Sequence, residues 1–434
     1  MGDRGIPEVS AANDRRVALA NLGRRWRLLP ASAIVLLAAL PYLAFLRLPL
    51  LSDDYLQTEL ARRFISWPGL AELAADPLYR CRATSLFVTA SLYHFFGLSP
   101  LAYNIASILL HAANCLLIFS FGRFPFVGWK LAWLTAAVFA VGERHHEAVV
   151  WHAALPELLV LFFLLLALRC WLSWLQEARP SSLLGTVVAF FAALASKESA
   201  VILPVVLASI TIFLRAWSRR ALVVLVALAA VSGAYFLAGF LQQDSNQHWR
   251  DGTFAPSPAF LITLAASLGR ALWPWGGLSI LLLALVKVRR KFMILTASLG
   301  LAALCLLPYS FLSYMPRVPS RHHYLASVCV AALIASTVLL LQRLRPSLRP
   351  ILYLAALAFL GHNMTYLWVF KRKAFEERAQ PLEELVNFAQ ATKAPKIRVS
   401  CFPYSIDEAY LVLRFRAGVS RPEPHEPAPT FCRE

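Results

Sequence analysis

Two adjacent carboxylates, Asp53 and Asp54, follow the first long apolar run of the chain almost directly. Paired acids beside a membrane supply a general base or a metal ligand, and one of them ionised against a hydroxyl can take its proton. The competing reading is a solvated turn. A second polar concentration is Arg144-His145-His146-Glu147 with His152 and Glu157. His145, His146 and Glu147 stand too close together for the helical HExxH zinc geometry, so interfacial solvation competes with ligation there. Ser196-Lys197-Glu198 interrupts an apolar hairpin; ionisable groups at membrane depth are costly and usually functional, unless they simply pair with each other. Arg317 and Arg321-His322-His323 form a cationic patch suited to phosphate through charge-assisted hydrogen bonds, or else an ordinary basic loop.

Long apolar segments must position these groups. Of 434 residues, 59% are hydrophobic and 15% charged, more apolar surface than a soluble domain of this length can hide. The runs are continuous rather than alternating, and lipid offers the backbone no partners, so they are helices. The formal net charge of +18 sits between the runs, where it sets topology, and does not point to nucleic acid. The seven cysteines are scattered, with no CxxC or Cys/His spacing for zinc, and leave the redox compartment open.

The expected architecture is an all-α polytopic membrane protein with roughly eleven spans of about twenty residues. Spans are expected at 29–48, 101–121, 131–141, 158–175, 183–195, 200–214, 221–241, 277–286, 292–312, 324–341 and 351–370, with 259–272 interfacial. The basic segment 1–28 reads as cytoplasmic, leading into an uncleaved anchor, and 29–370 as the membrane domain. The first outer loop, 51–100, carries interfacial helix candidates at 56–65 and 84–96, the second also fitting a short span. The tail, 371–434, is a short soluble appendage with a helix near 382–388, a strand at 397–402 and a disordered Pro-rich end. The positive-inside rule gathers the loops at Arg123, Arg179, Arg219, Arg290 and Arg345 on the cytoplasmic side. Asp53, Glu147, Glu157, Lys197, Glu198, the loop after Gln242, Arg321 and the tail then fall outside, with Lys371-Arg372-Lys373 discordant.

The ordered set of polar groups resembles the GT-C superfamily of polyprenyl-phosphate-sugar-dependent glycosyltransferases. Within it, the membrane part of the transmembrane and tetratricopeptide-repeat O-mannosyltransferase-like family and its bacterial relatives are most similar. Asp53-Asp54 resembles that superfamily's acidic pair, Tyr79-Arg80 the start of Tyr-Arg-Pro-Leu, and Leu109-Leu110-His111 with Asn114 the element Leu-Leu-His-x-x-Asn. His145 to Trp151 matches His-x-Glu-Ala-Val-x-Trp, Ser196-Lys197-Glu198 matches Ser-Lys-Glu, and Arg321, Tyr324, Leu325 and Ser327 fall on Arg-Tyr-Leu-Tyr-Leu-Pro-Ser. The likeness covers about residues 29–341. Cys81-Arg82 replaces Pro-Leu, Ala326 a proline, and Ala154-Leu155-Pro156-Glu157-Leu158-Leu159 stands where relatives have Gly-Arg-x-Asp-Leu-Leu. The tail has no room for several 34-residue repeats.

The resemblance implies a GT-C-like bundle in a bacterial inner membrane, its active site facing outside. It further implies inverting transfer of a sugar from a polyprenyl-phosphate donor to a hydroxyl of a lipid, glycan or protein acceptor. Asp53 would be the base, with Asp54 beside it. Lys197 and Arg321 would neutralise the phosphate, and Tyr79, Arg80, His111, His145, Glu147, Glu157, Glu198 and Tyr324 would line the substrate site. No cofactor is required; a divalent metal through Asp53 and Glu157 is compatible with the residues. A flippase or transporter of lipid-linked sugars, or an inactive membrane scaffold, would share many of these features. A transporter tends to carry inverted repeats, and none is evident.

Overall fold

The structure, a computed structural model, describes residues 29–312 and 317–433; the basic segment 1–28 lies outside the described residues. It is a helical bundle. The first apolar helix is α1 (Leu29–Phe45), and the loop after it folds into α2 (Ser52–Phe64), α3 (Trp67–Ala75) and α4 (Ala83–Phe96). Then come α5 (Pro100–Ser120), α6 (Trp129–Val141), the short α7 (His146–Val150), α8 (Leu155–Glu177), α9 (Pro180–Leu194) and α10 (Leu203–Phe213). The second half holds α11 (Arg219–Leu241), α12 (Gln247–Arg250), α13 (Phe260–Leu272), α14 (Trp275–Ala284), α15 (Arg290–Leu306), α16 (Tyr324–Leu344) and α17 (Arg349–Thr365). The tail adds α18 (Arg372–Thr392), β1 (Arg398–Cys401), α19 (Ile406–Ala417) and β2 (Thr430–Cys432).

Proline sets many of the starts. α5, α8, α9, α10 and α17 each carry one in the first turn, where the missing N–H is an orphan anyway. Six helical stretches among the described residues are long and apolar enough to cross a membrane, and six apolar helices are shorter. The six fall on six of the expected spans, five of the shorter helices fall on the other five, and α13 falls on the segment expected to be interfacial. The core is centred on α8, whose Trp171 is fully buried, with Tyr42 of α1 and Tyr324 of α16. α11 and α17 turn Val223, Val226, Ile351 and Leu354 outward, a surface suited to lipid rather than water.

Two faces are distinguishable. At one, Arg123 lies 3.7 Å from Glu177, joining the loops after α5 and α8. At the other, the loops containing Asp53, Lys197, Asn246 and Arg321 surround a single cavity. The tail docks on this second face, since Arg414 of α19 pairs with Glu59 of α2 at 2.5 Å. The discordant Lys371-Arg372-Lys373 falls where the helix of α17 runs on into α18. Arg372 and Lys373 there face Glu376 and Glu377 one turn on, which lowers the local positive charge.

The tail departs from expectation. The helix expected at 382–388 is three times as long, spanning Arg372–Thr392 as α18, and a second helix, α19, which was not expected, forms over the apolar run Ala409-Tyr410-Leu411-Val412-Leu413. The Pro-rich end is ordered: β2 pairs in parallel with β1, and Cys401 and Cys432 form a disulfide. Pro424, Glu423 and Glu426 offer their carbonyls to the Arg398 guanidinium, so a segment poor in N–H donors is held through its acceptors.

The two faces predict a labelling pattern. With the five free cysteines removed, a membrane-impermeant maleimide added outside the cell should modify Ser99→Cys and Asp251→Cys but not Lys287→Cys. Modification of one loop position without the other contradicts the shared face.

Candidate active site

The cavity has a volume of 840 Å³ and is amphipathic. Its polar lining includes Asp53 of α2, Tyr79, Arg80 and Arg82 before α4, Lys197 and Glu198 between α9 and α10, Arg321 and His322 before α16, and Glu408 of α19. The apolar remainder includes Leu56, Leu60, Phe236, Phe240, Leu307 and Phe311.

Asp53 and Asp54 sit in the first turn of α2, where the helix dipole favours carboxylates. They face different ways. Asp54 accepts the Leu51 N–H on Oδ2 at 2.7 Å, capping the helix, and the Ala153 N–H on Oδ1 at 2.7 Å, tying α2 to the turn before α8. Burial pushes its carboxyl up to about 7, against those two N–H groups, which favour the ionised form. Asp53 instead lines the cavity. Burial raises its carboxyl too, opposed by the positive charges of Arg321, Arg378 and Arg82.

Lys197 is fixed from behind. Glu157, fully buried in the first turn of α8, takes its ammonium on Oε1, shares that oxygen with His322 Nδ1 at 2.5 Å, and accepts the Tyr309 hydroxyl on Oε2 at 2.6 Å. Tyr309 also reaches Ser199 Oγ at 2.9 Å. With both oxygens committed, Glu157 is a poor candidate for sharing a metal with Asp53. Among the described residues, no group of three or more His, Cys, Asp and Glu side chains is arranged to hold one.

The arginines are held by carboxylates and an indole. The Arg321 guanidinium lies 4.9 Å from the Trp151 ring centre and 3.9 Å from Glu147 Oε2, and its backbone N–H donates to the same oxygen at 3.2 Å. Burial would raise the Glu147 carboxyl, but the neighbouring His146 and Arg321 outweigh it and hold it below the usual range. Arg378 of α18 packs on the Trp151 ring as well, at 4.7 Å. Arg82 approaches Glu198 at 4.0 Å, and its buried Nε has no hydrogen-bond partner among the described residues.

Of the residues expected at the site, Asp53, Tyr79, Arg80, Lys197, Glu198 and Arg321 share the cavity wall. Glu147 and Glu157 stand behind it. His111, His145 and Tyr324 lie deeper in the bundle: His111 Nδ1 meets the Tyr324 hydroxyl at 2.8 Å, Nε2 meets the Ala140 carbonyl at 3.1 Å, and His145 stacks on Phe139. Asn114 donates to Tyr324 Oη and the Leu158 carbonyl, so this group joins α5, α8 and α16. Sequence reasoning missed Arg82, Tyr309, Arg378 and Glu408. Arg82 was visible only as a departure from a motif, and the two tail residues carried no signal.

No family model matches the sequence, and comparison with curated proteins finds no match either. Among solved structures, the chain is similar to ArnT from Cupriavidus metallidurans, crystallised bound to undecaprenyl phosphate. The identity is 13%, over 93% of this chain and 89% of that one, with a TM-score of 0.50. The likeness is one of fold: this chain is an all-α polytopic membrane protein with the GT-C-like architecture.

Proposed function

We propose that the chain is a membrane glycosyltransferase moving a sugar from a polyprenyl-phosphate donor to a hydroxyl acceptor outside the cytoplasm, with inversion. The observation that carries this reading is the lining of the cavity: Asp53 shares it with Arg82, Lys197 and Arg321, and the rest is largely apolar. A lipid phosphate needs that combination, cations for its head and an apolar wall for its chain. The fold shared with ArnT, solved with undecaprenyl phosphate bound, agrees with it. The motif resemblance favours mannose as the sugar and a bacterial inner membrane as the setting.

In this mechanism Arg82, Lys197 and Arg321 neutralise the phosphate as it leaves, which lowers the barrier without a second carboxylic acid. Asp53 removes the acceptor proton while the acceptor oxygen attacks the anomeric carbon from the face opposite phosphate, so the configuration inverts. The carboxylate is on the wall and Asp54 fixes the turn that presents it. The disulfide of the tail favours an oxidising compartment, which supports placing the tail and the cavity outside and the basic loops inside.

Undecaprenyl phosphate should raise the unfolding temperature of the purified chain in detergent, since ligand binding to the folded state stabilises it. Arg321→Lys should weaken that binding about tenfold, because a point charge cannot reproduce the planar fork. Equal stabilisation of wild type and variant contradicts the phosphate role of Arg321.

A further inference from the structure

The tail contributes to the cavity as well as covering its edge. α19 is capped at its start by Ser405, whose hydroxyl accepts the Asp407 N–H at 3.2 Å, and at its end by Gly418 in the left-handed region at φ 65°. Its Val412 packs into a cluster with Leu50, Tyr55 and Tyr103 of the membrane domain and Leu382 and Val386 of α18. Tyr404 donates its hydroxyl to the Arg378 carbonyl at 2.7 Å, tying the approach to α19 onto α18. This docking, fixed by the Arg414–Glu59 pair between α19 and α2, brings Glu408, one turn into α19, onto the same cavity wall as Asp53, where the Asp53 and Glu408 carboxyls interact.

We infer that Glu408 is a positioning residue for the base: it keeps its proton and donates a hydrogen bond to the Asp53 carboxylate, so the tail completes the site. The inference rests on the transferase reading. Two carboxylates in contact cannot both ionise readily, and the one nearer the cations gives up its proton first. Asp53 feels the positive charges of Arg321, Arg378 and Arg82, whereas Glu408 feels the negative charge of Asp53. Asp54 and Tyr79 are further titratable neighbours of Asp53, and Arg80, Lys197, Glu198 and His322 line the same cavity. Burial raises both carboxyls, and their mutual contact raises Glu408 while lowering Asp53. In turnover, the acceptor O–H bond breaks and its proton goes to the free oxygen of Asp53. The Glu408 proton stays in place, and Asp53 returns its proton to water after the product leaves.

Dicyclohexylcarbodiimide, which modifies protonated carboxyls, tests this on the full chain in detergent with peptide mapping across pH and no substrate. In wild type, Glu408 should still be modified at a pH where Asp53 no longer is. Glu408→Ala removes the donor, so the pH below which Asp53 is modified should rise by about one to two units. Glu408→Gln keeps an N–H donor and should leave Asp53 as in wild type. Asp53→Asn should lower the onset for Glu408 by about one unit and serves even if Glu408→Ala does not fold. An unmoved Asp53 onset in Glu408→Ala, or Glu408→Gln behaving like it, overturns the inference. So does an unmoved Glu408 onset in Asp53→Asn. In membranes metabolically labelled with radioactive mannose, Glu408→Ala should cut turnover about tenfold at unchanged donor KM, and Glu408→Gln should restore it. Labelling shifts as expected, with no transfer by wild type and no stabilisation by undecaprenyl phosphate, contradict the transferase reading and leave the proton sharing standing.

Discussion

Asp53→Asn is expected to lower turnover by about a hundredfold to ten-thousandfold while leaving undecaprenyl phosphate binding near wild type. The side chain keeps its size and its place on the cavity wall but loses the basicity that removes the acceptor proton. The lipid phosphate is held by Arg82, Lys197 and Arg321, none of which depends on Asp53 for its fixed contacts with Glu198, Glu157 or Glu147. Asp54→Asn should act differently. It replaces one of two acceptors for the Leu51 and Ala153 N–H groups with an amide donor, so its effect belongs first to stability. A hydrogen bond to a charged group lost in a buried place costs about 1.5–3 kcal/mol. Thermal unfolding and initial rates measured on the same preparations separate the two residues. Full activity in Asp53→Asn with a dead, folded Asp54→Asn would transfer the base to Asp54.

The second large effect is expected at Glu157. Its side chain is fully buried and meets Lys197, His322 and Tyr309 at once. Glu157→Ala leaves the Lys197 ammonium, itself only 12% exposed, without its counter-charge. Breaking one side of a buried pair costs about 3–5 kcal/mol, mostly through the charge left behind. Lys197 should then ionise less readily or turn toward the cavity, weakening phosphate binding. Replacing both partners, Glu157→Gln with Lys197→Met, removes the stranded charge and should recover a large part of the stability while leaving donor binding poor. Unfolding midpoints of Glu157→Gln, Lys197→Met and the double variant measure that coupling. Additive losses would mean that the pair is not coupled in the way the contacts indicate.

Much of the membrane architecture was legible because lipid imposes a simple rule. A span must be long, apolar and helical, and proline in the first turn marks where several begin. The acidic and basic groups of the site were legible as interruptions of that rule: Asp53 just beyond the first span, Lys197 inside a hairpin, Arg321 just before α16. What those residues touch was not legible. Tyr324 and His111 fall on family motifs, yet they meet each other inside the bundle, because a motif records spacing and not direction. Glu157 read as a candidate for positioning the base, and its contacts are those of a partner for Lys197. The tail was the least legible part. Its hydrophobic residues are spread between α18, α19 and two short strands, and only docking on α2 brings Arg378 and Glu408 to the site. The Cys401–Cys432 bridge spans 31 residues and has no spacing signature to announce it.

The most direct test of the account is mass analysis of glycans and lipid-linked sugars from a strain lacking the gene, with complementation by wild type and by Asp53→Asn. One sugar should disappear from an extracytoplasmic glycan while its polyprenyl-phosphate form accumulates; wild type should reverse both changes, and Asp53→Asn, expressed at the same level, should reverse neither. Restoration of the glycan by Asp53→Asn, or an unchanged glycan in the strain lacking the gene, would contradict the account.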